Sequence, residues 1–210
     1  MKPKIVIIDY GLGNLLSVKK AFENIGAEVE VTDNLKRIVD ADRLVLPGVG
    51  AFPNAMIEIN NRGLVEALKN YLVKQRPLLG ICLGMQLLLD ESEEFTLTKG
   101  LGLIPGRVVM IPVAGDLKIP HVGWASLNVN NNLDFSNTFI NEGLNPDSYM
   151  YFVHSFMCVP TMHENLIATY SYGENEIPAI IGKDNIFGCQ FHPEKSGKDG
   201  LLLLKSYLNS

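Results

Sequence analysis

The sequence contains little cysteine, histidine and tryptophan: three, four and one residues in a chain of 210. The three cysteines are too few and too widely spaced for a disulfide framework or a cysteine-based zinc site. Cys158 and Cys189 lie in apolar, strand-like surroundings, where a cysteine usually acts as a small buried hydrophobic residue. We therefore expect no metal site, and only Cys82 needs a chemical explanation.

Long apolar runs and an excess of basic residues are also missing. No run reaches the ~18 residues of a membrane-spanning helix, and the start of the chain shows no signal-peptide cleavage site. We therefore expect a cytoplasmic protein that does not bind membranes. Eighteen basic and 23 acidic residues give a net charge of −5, which argues against a nucleic-acid partner. The length predicts one domain, residues 1–210.

The first part of the chain alternates between strand and helix patterns. Apolar runs predict strands at Ile5–Asp9, Glu28–Val31, Arg43–Leu46 and Pro77–Ile81, and helical patterns lie between them. This order predicts an α/β fold with a mostly parallel, doubly wound sheet and helices on both faces. After about residue 105, short strand patterns follow one another, among them Met150–Phe156 and Ile186–Phe191, which predicts an antiparallel β annex in the C-terminal half.

A cysteine stands where the fourth predicted strand turns into a helix. Residues 80–84 read Gly-Ile-Cys-Leu-Gly, a nucleophile elbow G-x-S-x-G with cysteine in place of serine. Two glycines permit the tight turn. The helix N-terminus favours the thiolate, which is the attacking form. The pattern predicts that Cys82 is a catalytic nucleophile.

A candidate base follows the last predicted strand, in His192-Pro193-Glu194. Proline biases the residue before it towards an extended conformation, and residues two apart in an extended segment point to the same side. Glu194 can therefore orient His192 towards Cys82, which predicts a Cys-His-Glu triad. The remaining histidines have no carboxylate two residues later: His121, His154 and His163.

The oxyanion formed on attack needs hydrogen-bond donors. In an elbow, one donor is the backbone N–H of the residue after the nucleophile, here Leu83. The glycine-rich loop 47–50 follows the third strand, and it is the candidate for a second donor through the N–H groups of Val49 and Gly50. A simple tight turn is the alternative interpretation of this loop.

The glycines after the first strand do not complete a dinucleotide-binding motif. Residues 9–14 read Asp-Tyr-Gly-Leu-Gly-Asn, but the third glycine of G-x-G-x-x-G is replaced by Leu16. We therefore expect no nucleotide cofactor.

The elbow and the His-x-Glu motif together resemble those of the class I, or triad-type, glutamine amidotransferases. The resemblance rests on Gly80–Gln86 and His192–Glu194 and covers nearly the whole chain. It implies a glutaminase that hydrolyses the side-chain amide of glutamine, needs no cofactor and passes the ammonia to a synthase.

Within this family, four segments resemble the glutaminase subunits of histidine biosynthesis: Asp9–Asn14, Pro120–Trp124, Tyr151–Phe156 and His192–Ser196. This resemblance implies a heterodimer with a HisF-type (β/α)8 cyclase. The cyclase would use the ammonia to make imidazole glycerol phosphate and AICAR from PRFAR.

The resemblance also implies roles for residues outside the triad. Trp124 and Tyr151 would face the cyclase near the ammonia exit, and Lys195 would pair with an acidic residue there. The residues implied for glutamine binding are Gln86, Glu94, Ser155 and Phe156.

Two places depart from the family pattern. Ala125 stands where asparagine is common, and Phe95-Thr96 stand where a glycine-containing turn is common. Both places lie where the ammonia acceptor could be distinguished, so a paralogue that serves a sugar-modifying synthase for surface polysaccharide stays open. Another cysteine hydrolase of the same fold, such as a γ-glutamyl peptidase, and a non-catalytic binding module also stay open.

Overall fold

The computed structural model describes residues 3–112, 117–130, 138–145 and 148–210. Its strands are β1 (Lys4–Ile8), β2 (Glu28–Thr32), β3 (Leu44–Gly48), β4 (Leu78–Cys82), β5 (Glu91–Ser92), β6 (Thr98–Lys99), β7 (Gly106–Met110), β8 (His121–Ser126), β9 (Asn128–Val129), β10 (Tyr149–His154), β11 (Phe156–Pro160), β12 (Leu166–Tyr172), β13 (Asn175–Lys183) and β14 (Ile186–Cys189). Its α-helices are α1 (Leu15–Asn24), α2 (Leu35–Asp40), α3 (Phe52–Asn61), α4 (Leu64–Leu72), α5 (Leu83–Leu87), α6 (Phe139–Gly143) and α7 (Gly197–Asn209). Short 3₁₀ turns cover His163–Asn165 and Pro193–Lys195.

The main sheet of the described residues has eight strands in the order β2-β1-β3-β4-β14-β13-β12-β9. The first five strands in this order, β2, β1, β3, β4 and β14, run parallel to one another. The strands β13, β12 and β9 continue the sheet in antiparallel pairing. The predicted mostly parallel sheet with an antiparallel part in the C-terminal half is confirmed.

Helices cover both faces of this sheet, each over its own apolar layer. One layer contains Phe22 of α1 and Tyr207 of α7, and the other contains Phe52 of α3 and Leu68 of α4. Strand β4 lies between the layers and is buried along its whole length, which explains its unbroken apolar sequence. None of the helices in the described part of the chain is long and apolar enough to cross a membrane.

The C-terminal half is more divided than the sequence predicts. Its strands also take part in two small sheets, β10-β8 and, together with β5 and β6 from the preceding part of the chain, β11-β7-β5-β6. The single strand predicted at Met150–Phe156 is two strands in the structure. The residues up to His154 pair with β8, and the residues from Phe156 onwards pair with β7. The interruption at Ser155 borders the pocket described next.

Candidate active site

Cys82 sits at the turn between β4 and α5 in an uncommon backbone conformation. Its φ is +55° and its ψ is −111°, values that few residues other than glycine adopt. A Cβ atom at Gly84 would overlap the carbonyl oxygen of Leu46, and one at Gly80 would lie 2.7 Å from the carbonyl oxygen of Gly84. Both glycines are therefore required by the close packing of the turn.

His192 and Glu194 form a buried pair. His192 Nδ1 lies 2.9 Å from Glu194 Oε1, and the side chains are 3% and 1% exposed. His192 is extended, but Glu194 lies in a 3₁₀ turn. The predicted extended segment is therefore wrong for Glu194, and the turn is what brings its carboxylate to the imidazole ring. Because Nδ1 faces the carboxylate, Nε2 remains for the hydrogen bond between His192 and Cys82.

The charges around His192 favour its protonated form. Burial lowers the pKa of His192, but the hydrogen bonds and negative charges of Cys82 and Glu194 together outweigh burial and raise it to about 10. Burial raises the pKa of the Cys158 and Cys189 thiols, which are both fully enclosed. A cationic imidazole is therefore placed beside the Cys82 thiol, whereas the other two thiols stay neutral.

A pocket of about 300 Å³ opens over Cys82, a size at the lower end of ligand sites. The sequence singled out the following lining residues: Val49, Gly50, Cys82, Leu83, Gln86, Glu94, Ser155, Phe156 and His192. The lining also includes Pro120, Val153 and His154, to which the sequence assigned no role. The Glu194 carboxylate contacts the His192 ring and is connected to the pocket by this hydrogen bond.

Sheet register explains how distant segments meet here. Cys82 at the end of β4 pairs with Gly48 at the end of β3, which places the loop 49–50 beside the sulfur. On its other side, Ile81 pairs with Cys189 of β14, and the chain then continues to His192. The carboxyl ends of neighbouring parallel strands thus assemble the site.

Two backbone segments that line the pocket at Cys82 are the candidates for oxyanion donors: the start of α5 and the loop 49–50. Leu83 is the first residue of α5, so its N–H has no partner within that helix. Gly50 has φ +102°, a conformation that favours glycine. Gly48 is equally constrained, because a Cβ there would collide with the hydroxyl of the fully buried Tyr10. The oxyanion role of these groups stays a prediction.

Two glutamines and a glutamate hold the wall of the pocket. The Gln86 amide nitrogen donates to the Phe156 carbonyl and to Gln190 Oε1, both at 3.1 Å. Gln190 Nε2 lies 3.8 Å from the Cys82 sulfur. Glu94 Oε2 accepts the backbone N–H of Phe52 at 2.7 Å.

Gln190 was missed by the sequence analysis. It is fully buried, and a polar residue in the apolar run Ile186–Phe191, two positions before His192, was the available signal.

The residues predicted for a partner surface lie outside the pocket. Trp124 is 51% exposed and pairs across the β8–β10 sheet with Tyr151, their rings 5.8 Å apart. Lys195 is exposed and forms no ion pair within the described ranges. The Tyr151 carbonyl accepts the N–H of His192 at 2.9 Å, so this small sheet is tied to the base of the predicted triad.

Comparison with known proteins places this site in a family. Residues 6–206 match the class-I glutamine amidotransferase family. The chain belongs to this family. Relatives of this amidotransferase named "Imidazole glycerol phosphate synthase subunit HisH" come from Listeria innocua (45% identity; 97% of this chain, 94% of the relative) and Lactococcus lactis (46%; 98% of each). A third, from Caldanaerobacter subterraneus, is 46% identical over 97% of this chain and 96% of its own length.

Solved structures resemble the amidotransferase fold at much lower identity. A chain in the structure of PurLQS from Thermotoga maritima is 22% identical, has a TM-score of 0.73 and covers 100% of this chain and 99% of its own. A glutamine amidotransferase from Thermotoga maritima is 16% identical, with a TM-score of 0.65 and coverage of 100% and 97%. These likenesses support the fold.

Proposed function

We propose that this chain is the glutaminase subunit of an imidazole glycerol phosphate synthase in histidine biosynthesis. The observation that carries the proposal is the arrangement of Cys82, His192 and Glu194 at a pocket of about 300 Å³. The names and nearly full-length coverage of the relatives support the choice of pathway. The partner would be a HisF-type (β/α)8 cyclase that forms imidazole glycerol phosphate and AICAR from PRFAR.

In the first half of the reaction, the Cys82 thiolate adds to the side-chain carboxamide carbon of glutamine. The negative oxygen of the tetrahedral intermediate is held by the N–H of Leu83 and by a second N–H from Val49 or Gly50. His192, protonated at neutral pH and held by Glu194, gives its proton to the nitrogen as the C–N bond breaks. Ammonia leaves, and a glutamyl thioester remains on Cys82.

In the second half, neutral His192 takes a proton from water, and the resulting hydroxide adds to the thioester carbonyl carbon. The C–S bond then breaks, the new carboxyl group loses its proton to solvent as glutamate leaves, and the Cys82 thiolate remains beside the protonated His192. The same donors hold the second oxyanion.

The wall of the pocket provides the means to hold glutamine. Both hydrogens of the Gln86 amide are used inside the protein, which leaves Gln86 Oε1 as an acceptor for the substrate. Glu94 uses Oε2 for the Phe52 N–H and keeps Oε1 for the substrate's ammonium group. Backbone groups of Ser155 and Phe156, which also line the pocket, complete the set.

The released ammonia needs a closed route, because in bulk water it is largely protonated and no longer nucleophilic. We assign the partner surface to the exposed side of the β8–β10 sheet, with Trp124 and Tyr151, together with Lys195. Val122 is 58% exposed on the same strand as Trp124 and adds to an apolar surface of the kind that protein partners cover.

The proposal is tested by mixing the chain with a HisF-type cyclase and following glutamine-dependent product formation. Cys82→Ala is expected to abolish turnover with glutamine and to leave turnover with added ammonia unchanged, because the cyclase needs no thiol for free ammonia. Cys158→Ala is the matched control and should keep both activities. Glutamine-dependent turnover that survives Cys82→Ala would contradict the proposal.

A second measurement addresses the partner surface. Trp124→Ala is expected to weaken the complex about ten- to hundredfold, as an exposed aromatic anchor does, and to leave alkylation of Cys82 by iodoacetamide unchanged. Leu97→Ala, an exposed apolar residue on another part of the chain, is the control. Unchanged affinity in Trp124→Ala would place the partner elsewhere.

A further inference from the structure

Two histidines outside the predicted triad share one tyrosine in a buried cluster. His121 Nδ1 lies 2.9 Å from the Tyr170 hydroxyl, and His154 Nε2 lies 2.8 Å from the same oxygen. His154 Nδ1 lies 2.8 Å from the carbonyl oxygen of Phe156. All three side chains are at least nine-tenths buried, and the mechanism above uses none of them.

The direction of each hydrogen bond in this cluster follows from which of its atoms can donate and which can accept. A carbonyl oxygen only accepts, so His154 Nδ1 carries a proton and donates to Phe156. Burial lowers the pKa of His154 to about 4, although the bond to Phe156 acts in the opposite direction, so the ring is neutral and its Nε2 accepts. The Tyr170 hydroxyl therefore donates to His154 and accepts from His121 Nδ1–H.

The chain of bonds continues into the wall of the pocket. The Phe156 carbonyl accepts the Gln86 amide as well as His154. Gln86 donates its other hydrogen to Gln190, whose amide nitrogen is the neighbour of the Cys82 sulfur. Phe156 and Gln86 both line the pocket, and so does His154 itself.

We propose that His121, Tyr170 and His154 are positioning residues, which fix the Phe156 carbonyl and through it Gln86 at the wall that holds glutamine. The proposal rests on the proposed glutaminase function for the identity of the ligand. It adds that β8, the strand of the assigned partner surface, is joined to the glutamine site by hydrogen bonds that run from His121 to the Phe156 carbonyl, which also accepts the Gln86 amide.

The kinetic test uses Tyr170→Phe, which removes the shared hydroxyl and keeps the ring. Leaving two buried partners without a bond should raise KM for glutamine about tenfold, with kcat within about twofold. Alkylation of Cys82 by iodoacetamide should not change, which shows that the variant folds and keeps its nucleophile. Tyr172→Phe is the matched control, because that ring also contacts His121 but its hydroxyl, within the described part of the chain, bonds only to the Lys118 backbone.

A pair of amide variants adds a readout of position. The amide nitrogen of His121→Asn lies near the Nδ1 position and can still donate to Tyr170, so KM should stay close to the wild-type value. His121→Gln places the amide near the Nε2 position and should raise KM as Tyr170→Phe does. Equal KM values for these two variants, or a wild-type KM in Tyr170→Phe, would overturn the proposal.

Imidazole ¹⁵N NMR tests the bond directions without any activity. We expect both His121 and His154 to carry their proton on Nδ1 at neutral pH, and the signals of both to shift in Tyr170→Phe. A proton on His154 Nε2 would overturn the proposal. The two proposals can also fail separately. If the wild-type protein releases no ammonia from glutamine in the presence of the cyclase but both histidines carry their proton on Nδ1, the proposed function is wrong and the hydrogen-bond chain still holds.

Discussion

Replacing Glu194 by glutamine tests the electrostatics of the candidate triad directly. The substitution keeps the size of the side chain and removes a charge that lies 2.9 Å from the His192 ring and is 1% exposed. Two opposite charges about 4 Å apart at an effective dielectric constant of about 20 attract by about 4 kcal/mol. Burial lowers the pKa of His192 and the charge of Glu194 raises it. Without that charge, the equilibrium should shift from the thiolate–imidazolium pair towards the neutral thiol–imidazole pair. We expect a shift of at least about tenfold and at most roughly a thousandfold.

The assay is the rate at which iodoacetamide alkylates Cys82, measured by mass spectrometry between pH 6 and 9. Iodoacetamide is neutral and reacts with the thiolate, so the rate reports the pair without glutamine or a partner. We expect the Glu194→Gln rate at pH 7 to be at least tenfold lower than the wild-type rate, because the imidazolium of His192 that favours the attacking thiolate has lost its counter-charge.

Glu66→Gln, which removes an exposed charge paired with Lys69, is the control and should follow the wild type. Cys158 and Cys189 are buried and should stay unlabelled in the native protein. A Glu194→Gln profile that superimposes on that of the wild type would refute the role assigned to this carboxylate.

Three further predictions concern stability. Gly84→Ala should destabilise the protein by more than 3 kcal/mol or prevent folding, because its Cβ would overlap the Leu46 carbonyl oxygen; a wild-type urea midpoint would contradict this. Phe95→Asn should stabilise by about 0.5–1 kcal/mol, because Phe95 is 84% exposed and has φ +58°, which asparagine tolerates better; a lower melting temperature would count against the strain argument. For His192→Gln, we expect the loss of unfolding free energy to be largest below about pH 6.5 and to shrink as the pH rises through about 10. The reason is that the folded state raises the pKa of His192, so protonation of this side chain stabilises the fold. A loss that grows with pH would contradict the prediction.

Much of the fold could be predicted because its central strands are buried on both faces. In β4, every residue is buried, so the strand appears as an unbroken apolar run that ends at Cys82. The two-residue strands β5 and β6 are too short to leave a periodic pattern. The break at Ser155 depends on which neighbours β10 and β11 find, and those neighbours lie far away in the sequence.

The candidate site was predictable where its chemistry is local. The elbow around Cys82 and the His192–Glu194 pair are each contained in a few residues, so turn preferences and spacing point to them. The His121–Tyr170–His154 cluster leaves no such trace, because its members are 49 and 16 residues apart and meet only after β8, β10 and β12 have packed. The sequence around His121 and His154 therefore points to no role for either histidine.

The sequence by itself determined the reactive groups, the strained turn that presents Cys82, the order of strands and helices, and the resemblance to an amidotransferase. The turn and each separate strand or helix depend on neighbours within about one turn of chain, which local sterics and hydrogen bonding control. Only the tertiary structure decided that β14 pairs with β4, which places His192 beside Cys82 and Gln190 beneath it. It also decided the protonation of the three buried histidines, because a pKa depends on burial and on charges that the fold brings close.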